Sequence, residues 1–367
     1  MKEDRKIKVG ITHGDINGIG YEVILKNLED NRILELCTPV VYGSAKIAAY
    51  YRKNMELQPF NLNQVASAAE AKANNYNIIN VVGEEVKIEP GQSTRQGGEA
   101  AFAALERAVT DLRAGDIDVL VTAPINKNNI QSETFTFPGH TEYLEASIGE
   151  GNKPLMILCN DNVRVALVTT HLPIAKLPEA ITHDGIVEKL RIFNKSLKRD
   201  FGFEAPRIAV LALNPHAGED GLLGNEEQEV IAPAIATAQG ENILCFGPYA
   251  ADGFFGSGQF SHFDGVLAMY HDQGLAPFKT MAMECGVNFT AGLPFVRTSP
   301  DHGTGYDIAG KGVASEVSMR EAIYRAIDIY RNRANHDMMY RHPLRKQYHH
   351  KGGDNVVLDL TKDEQAD

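Results

Sequence analysis

Three histidines share one context in this chain. Residues 165–170 lead to His171, residues 208–215 to His216 and residues 266–270 to His271, so each imidazole stands just past an apolar run of strand character. Strand ends of one sheet can converge. Three neutral imidazoles leave a fourth metal position open for water or substrate, which is the catalytic arrangement. A single histidine at a strand end is more commonly a hydrogen-bonding loop residue, and spacing alone leaves both readings open.

Other residue groups could hold an anion. Pro138-Gly139 makes a turn, after which His140 and Thr141 present an imidazole and a hydroxyl at a predicted helix N-terminus, where free N–H groups favour phosphate. Thr141 as a plain helix cap is the alternative. Lys279, Asn288 and Arg297 lie in a stretch with few other charges apart from Glu284. An Arg fork and a movable Lys would suit a carboxylate or phosphate, and solvated surface cations are the competing reading. Residues 302–312 form a glycine-rich loop that is not G-x-G-x-x-G, and residues 14–20 do not match that pattern either. Neither a P-loop nor a G-x-S-x-G elbow occurs.

The elements that must position these residues read as α/β. A strand over 7–12 runs into a glycine loop and a helix from Glu22. Further strands are predicted at 39–43, 78–82, 118–122, 208–213, 243–246 and 266–270, with residues 44–76, rich in Ala and Asn, helical with loops. Phe102, Leu105, Val109 and Leu112 recur at helical spacing before Gly115. Two apolar runs, 155–159 and 163–169, flank Asn160-Asp161-Asn162 and predict a β-hairpin, hence a second domain beside a parallel sheet. Ser318-Met319-Arg320-Glu321 has the spacing of a capping box opening a last helix.

Composition narrows the function classes. The chain has 367 residues, 43% hydrophobic and 23% charged, which is the balance of a globular protein of about two domains. Its 36 Lys and Arg face 48 Asp and Glu, a formal charge of −12 that disfavours a nucleic-acid surface. Cys37, Cys159, Cys245 and Cys285 lie too far apart for a zinc ribbon or dithiol motif and read as thiols in a reducing compartment. No apolar stretch is long enough to span a membrane and no signal-peptide pattern opens the chain, so a cytoplasmic location is expected.

The segments THGDINGIGYE from Thr12, TAPINK from Thr122, PGHTEYL from Pro138, THLP from Thr170, LNPHAGE from Leu213, YHDQG from Tyr270 and HGTGYDIAG from His302 together resemble the PdxA family, the 4-hydroxythreonine-4-phosphate dehydrogenases of vitamin B6 biosynthesis. The match runs in order from about residue 7 to 335. It implies a two-domain fold like isocitrate and isopropylmalate dehydrogenases with the active site in the interdomain cleft. Residues 1–135 plus 300–367 would form the first domain and 136–299 the second. It further implies a homodimer with a shared active site, and a divalent metal, zinc before magnesium or cobalt, on His171, His216 and His271. His140, Thr141, Lys279, Asn288 and Arg297 match the positions that hold the phosphorylated substrate. His302, Gly303, Thr304, Asp307 and Ala309 match the loop for NAD or NADP.

The implied reaction oxidises the C3 hydroxyl of 4-phosphooxy-L-threonine to 2-amino-3-oxo-4-phosphooxybutanoate, which loses CO2 to give 3-amino-2-oxopropyl phosphate. Lys279 would move the proton or support the oxyanion, with Asp252 and Asp272 as carboxylates behind the metal ligands. A paralogue acting on threonate or erythronate 4-phosphate, a metal-dependent hydrolase and a non-catalytic binding protein are the competing functions. Ile16 and Tyr21 stand where the family usually has proline, and the tail from about residue 343 runs past its usual end.

Overall fold

The computed structural model of the chain describes residues 5–83 and 85–341, so the tail from residue 343 lies outside the described residues. The strands are β1 (Ile7–Thr12), β2 (Cys37–Gly43), β3 (Leu62–Gln64), β4 (Tyr76–Asn80), β5 (Val119–Thr122), β6 (Leu155–Cys159), β7 (Arg164–Leu167), β8 (Arg207–Leu211), β9 (Leu244–Tyr249), β10 (Gly265–Ala268), β11 (Val287–Ala291) and β12 (Arg297–Pro300). They join in one 12-stranded sheet of order β3-β4-β2-β1-β5-β12-β11-β6-β7-β10-β8-β9. The α/β class is as the sequence predicts.

Two parallel blocks make up this sheet. From β3 to β12 all neighbours are parallel, and from β7 to β9 they are parallel again. Between the blocks, β12–β11, β11–β6 and β6–β7 are antiparallel, so the second block runs opposite to the first. The predicted hairpin is the β6–β7 pair, with Asn160 accepting the turn amides of Asn162 and Val163 at 2.9 and 2.8 Å. The innermost strands are apolar throughout because helices cover both faces, as parallel sheets require.

Local chemistry sets the main helices. Thr94 caps Arg95–Ala114 by accepting from Gly97, and Gly115 ends it at φ 76°, a left-handed position suited to glycine. Thr182 caps His183–Arg199 in the same way. Two expectations need adjustment, and one segment carried no prediction. Residues 44–76 hold one helix, Ala45–Asn54, then β3 and a short 3-10 turn, because the Asn-rich stretch offers no apolar helical face. Residues 287–300, for which the sequence predicted no element, form β11 and β12. Ser318 does not cap the last helix, Val317–Tyr340; its hydroxyl donates to Gly286 C=O at 2.7 Å and accepts from Asp301 N at 3.1 Å, a tertiary tie that overrides the local pattern.

That last helix packs on the first block and on the antiparallel strand beside it, touching β5, β12, β11 and the helix His183–Arg199. Its Arg333 forms a buried pair with Asp200 at 2.6 Å and donates to the carbonyls of Leu293 and Pro294, while Ser196 donates to the same carboxylate at 2.7 Å. No helix among the described residues is long and apolar enough to cross a membrane. Asp200→Ala, which leaves Arg333 buried without its partner, is expected to destabilise the fold by about 3–5 kcal/mol. Urea unfolding checks this, and a loss below about 1 kcal/mol would contradict the placement.

Candidate active site

The three strands that lead to the histidines are neighbours. β10 lies between β7 and β8 and is parallel to both, with Leu167 opposite Ala268 and Val210 opposite Leu267. His271 therefore emerges between His171 and His216. The rings of His171 and His271 stand 5.8 Å apart, centroid to centroid. His171 lines a cavity of about 230 Å³ with Thr170, Tyr270 and His271, and His216 lines an adjoining one of about 520 Å³ with Asn214, Asp252, Tyr270 and Gln273. Tyr270 is common to both.

His216 has not closed on the other two. Among the described residues no three His, Cys, Asp or Glu side chains stand close enough together to hold a metal ion. His216 opens a left-handed run, with φ of 52, 55, 81, 45 and 52° from His216 to Asp220, a conformation that stores strain in residues other than glycine. Buried Glu227 props the approach to this turn by accepting from the amides of Leu213 and Asn214, both at 2.8 Å. It belongs to a π-helical turn, Glu227–Ile231.

The donor chemistry nevertheless suits a divalent cation. Nδ1 of His271 bonds to Asp272 at 2.7 Å and Nδ1 of His216 to Glu219 at 2.7 Å. A carboxylate on Nδ1 makes that nitrogen the donor and leaves the Nε2 lone pair for a cation. Burial, then the Lys127 and His271 charges, pushes the His171 pKa down and keeps that imidazole neutral, while the Glu219 hydrogen bond raises that of exposed His216. Asp252 adds negative charge facing His216. Asp272 touches a histidine of the set, and Asp252 shares the His216 cavity.

The anion-holding residues fall into two groups. Arg297 is 3% exposed, and its guanidinium meets only hydroxyls: Nε and Nη2 donate to Thr122 at 3.0 and 2.6 Å, and Nη1 to Thr290 at 3.2 Å. Burial, only partly offset by the charge of Glu142, lowers its pKa to about 10, and among the described residues no carboxylate comes within ion-pair distance of it. His140 opens the helix His140–Ile148, has Gly139 as N-cap and keeps a buried Nε2 with no partner. Burial first, then the Arg297 and Lys127 charges, holds it neutral. Thr141 makes no cap bond, so the plain-cap reading fails there.

Asn288 sits across from Ser299 and shares a face of β11 with Thr290. Lys279, on the helix His271–Ala282, forms the second group by pairing with Asp301 at 3.3 Å, beyond the far end of β12 from Arg297. Burial raises the Asp301 pKa, and its carboxylate also feels the charges of His302 and His271. Sequence reasoning missed Asp301, Lys127, Thr122 and Thr290 as parts of the site. Lys127 and Thr122 lay inside a quoted motif, but only three-dimensional proximity to His140, His171 and Arg297 gives them a task.

Residues 302–312 have no helix or strand. His302 donates from Nδ1 to Gly303 C=O, 3.0 Å away, while its buried Nε2 has no partner. A Cβ on Gly303 would meet only open space, whereas one on Gly18 would strike Thr304 C=O. The loop thus offers open backbone on one side and packs on residues 18–19 on the other, a cradle that fits a dinucleotide.

Residues 35–326 match the sequence pattern of the family described as "Pyridoxal phosphate biosynthetic protein PdxA". A 4-hydroxythreonine-4-phosphate dehydrogenase from Bacteroides thetaiotaomicron is 60% identical over 98% of this chain and 98% of its own length. The chain belongs to the PdxA family. Among solved structures, a 4-hydroxythreonine-4-phosphate dehydrogenase from Klebsiella pneumoniae superposes with a TM-score of 0.77 at 34% identity, covering 89% of this chain and 99% of that one. A relative from Oceanobacillus iheyensis, provisionally named a D-threonate 4-phosphate dehydrogenase, is 37% identical over 89% of this chain and 98% of its own.

A buried guanidinium with no carboxylate in contact is expensive, and an arriving anion reduces that penalty. Inorganic phosphate is therefore expected to raise the melting temperature of this PdxA chain and to do so much less in Arg297→Met. Differential scanning calorimetry with and without phosphate checks this; equal stabilisation of both proteins would place the anion elsewhere.

Proposed function

We propose that this chain oxidises 4-phosphooxy-L-threonine with NAD or NADP to 2-amino-3-oxo-4-phosphooxybutanoate, whose decarboxylation gives 3-amino-2-oxopropyl phosphate, within pyridoxal phosphate biosynthesis. The observation that carries this reading is the triplet of adjacent parallel strands β7, β10 and β8 delivering His171, His271 and His216, in a chain of the PdxA family. Identity of 60% to a relative bearing the dehydrogenase name supports the amino-acid substrate over a sugar-acid phosphate.

His171, His216 and His271 would hold a divalent cation, zinc before magnesium or cobalt given three imidazoles. When bound, that cation supplies Lewis acidity to the hydroxyl being oxidised and to the enolate left by CO2 loss, and the dinucleotide accepts the hydride. Asp272 and Glu219 fix the ring orientation of two of these histidines. Arg297 and neutral His140 offer N–H donors to phosphate or carboxylate oxygens, with Thr122 and Thr290 holding the guanidinium in place. Thr141 and Asn288 complete that polar surface.

Lys279 moves the proton: as the neutral amine its Nζ takes the proton of the hydroxyl being oxidised, and the ammonium so formed returns it to the carbon that loses CO2. Asp301 keeps that ammonium aimed, and residues His302 to Ala309, with Gly303, Thr304 and Asp307, form the dinucleotide loop. Residues 1–135 plus 300–367 would form one domain and 136–299 the other, with the active site in the cleft between them, and the division of the sheet into two parallel blocks supports that reading. Leu172, Ile174, Leu222 and Leu223 are exposed on the loops that carry His171 and His216, which supports a second copy of this chain closing over the site as a homodimer.

Purified, metal-supplemented protein mixed with 4-phosphooxy-L-threonine and NAD is expected to form NADH and CO2 together, with both signals lost to a chelator. Lys279→Ala should lower kcat by roughly 10²–10⁴-fold. NADH formed only with threonate or erythronate 4-phosphate would move the protein to that substrate, and product without NADH would make it a hydrolase.

A further inference from the structure

The first loop of the chain, residues 13–20, carries one of the motifs that mark the family, and neither the metal nor the anion group uses it. Its best-connected residue is Asp15, which is 1% exposed and has no cationic partner among the described residues. One oxygen accepts from the amide of Asn17 at 2.8 Å. The other accepts from Tyr306 Oη at 2.8 Å and from Asn129 Nδ2 at 2.7 Å. A carboxylate buried on the N-terminal side of the chain thus holds the centre of the loop 302–312. We propose that Asp15 is a positioning residue for the dinucleotide, fixing the course of that loop through Tyr306. This inference rests on the reading of residues 302–309 as the dinucleotide loop.

That loop cannot order itself. Gly305, Gly310 and Gly312 all have positive φ, and its internal backbone bonds are two short turns, Ile308 N to Gly305 C=O and Lys311 N to Ile308 C=O. Glycine-rich backbone loses much freedom when fixed, so external ties must set its shape. Residues 15–26 supply them along its whole length. Ile19 N donates to Thr304 C=O at 2.9 Å, Asp15 takes Tyr306, and buried Glu22 accepts from Ala314 N at 2.7 Å. Lys26 closes the far end by donating to the carbonyls of Gly312 and Ala314.

Asp15 is itself held in place. Asn129 also donates to Thr94 C=O at 3.0 Å, and Asn17 donates to Thr94 Oγ1 at 2.9 Å, so the cap of the helix Arg95–Ala114 stands behind the carboxylate. Tyr306 reaches Asn126 and Ser93 as well, and burial followed by the Asp15 contact pushes its hydroxyl up to about 12, which keeps it a donor. The two departures from the family's prolines brace the same loop from below. Tyr21 accepts from Ser44 N at 2.8 Å and stacks between His13 and Tyr51, while Tyr51 donates to Ile16 C=O at 2.7 Å.

A positioning role separates from a merely structural one by which ligand suffers. The test measures NAD and NADP dissociation constants by calorimetric titration of the full-length protein, together with both KM values, for wild type, Asp15→Asn and Tyr306→Phe. Loss of a hydrogen bond to a buried carboxylate should weaken dinucleotide binding by roughly tenfold in Asp15→Asn, and by less in Tyr306→Phe. The KM for 4-phosphooxy-L-threonine should stay within about twofold, because only uniform cofactor binding is removed. Unchanged dinucleotide constants in both variants, or equal losses for cofactor and substrate alongside a fall in melting temperature, would overturn the positioning role while leaving the function in place. A wild-type chain that binds neither dinucleotide would overturn the loop reading itself, and the inference with it.

Discussion

Parallel pairing of β10 with β7 on one side and β8 on the other is the constraint on which the candidate site depends. Parallel neighbours leave the sheet at the same edge, so chain segments far apart in sequence must begin their loops side by side. The three strands are buried on both faces and are held in register by apolar packing that has no chemistry of its own. Loops opening on that edge are then free to carry strained turns and unpaired polar atoms. The left-handed run from His216 to Asp220 is the clearest case, tolerated because Glu227 fixes its approach.

Charge in the site follows the same division between rigid frame and prepared loop. The chain is acidic overall, yet Lys127 acts on both His140 and His171, Arg297 on His140, and Lys279 and His271 on Asp301. Arg297 and His140 are the groups least satisfied by the protein, one a buried cation with hydroxyl partners and the other a neutral ring with a bare nitrogen. Lys279 is prepared differently, since Asp301 already balances its charge. The first group keeps hydrogen-bonding capacity that an anion could use, whereas the charge of the second is already met within the chain.

Much of this was legible in the sequence where local pattern and fold agree. Apolar runs before His171, His216 and His271 are strands, Asn160-Asp161-Asn162 is a hairpin turn, and Gly115 ends a helix. Failures came where a long-range contact decides the outcome. Ser318 has capping-box spacing but spends its hydroxyl on Gly286 and Asp301. Residues 287–300 lack a clear period because β11 and β12 are buried between two blocks, and Asp301, Thr122 and Thr290 gain their tasks only from partners distant in sequence. Spacing could not reveal that His216 stands back from its two companions on a strained turn.

The most direct measurement is X-ray absorption at the metal edge of the zinc-loaded protein, compared with His171→Ala, His216→Ala and His271→Ala. Three imidazole nitrogens at about 2.0–2.1 Å, falling to two in each variant, are the expected result. A zinc shell with two imidazoles, unchanged by His216→Ala, would contradict convergence of the three strand ends on one cation.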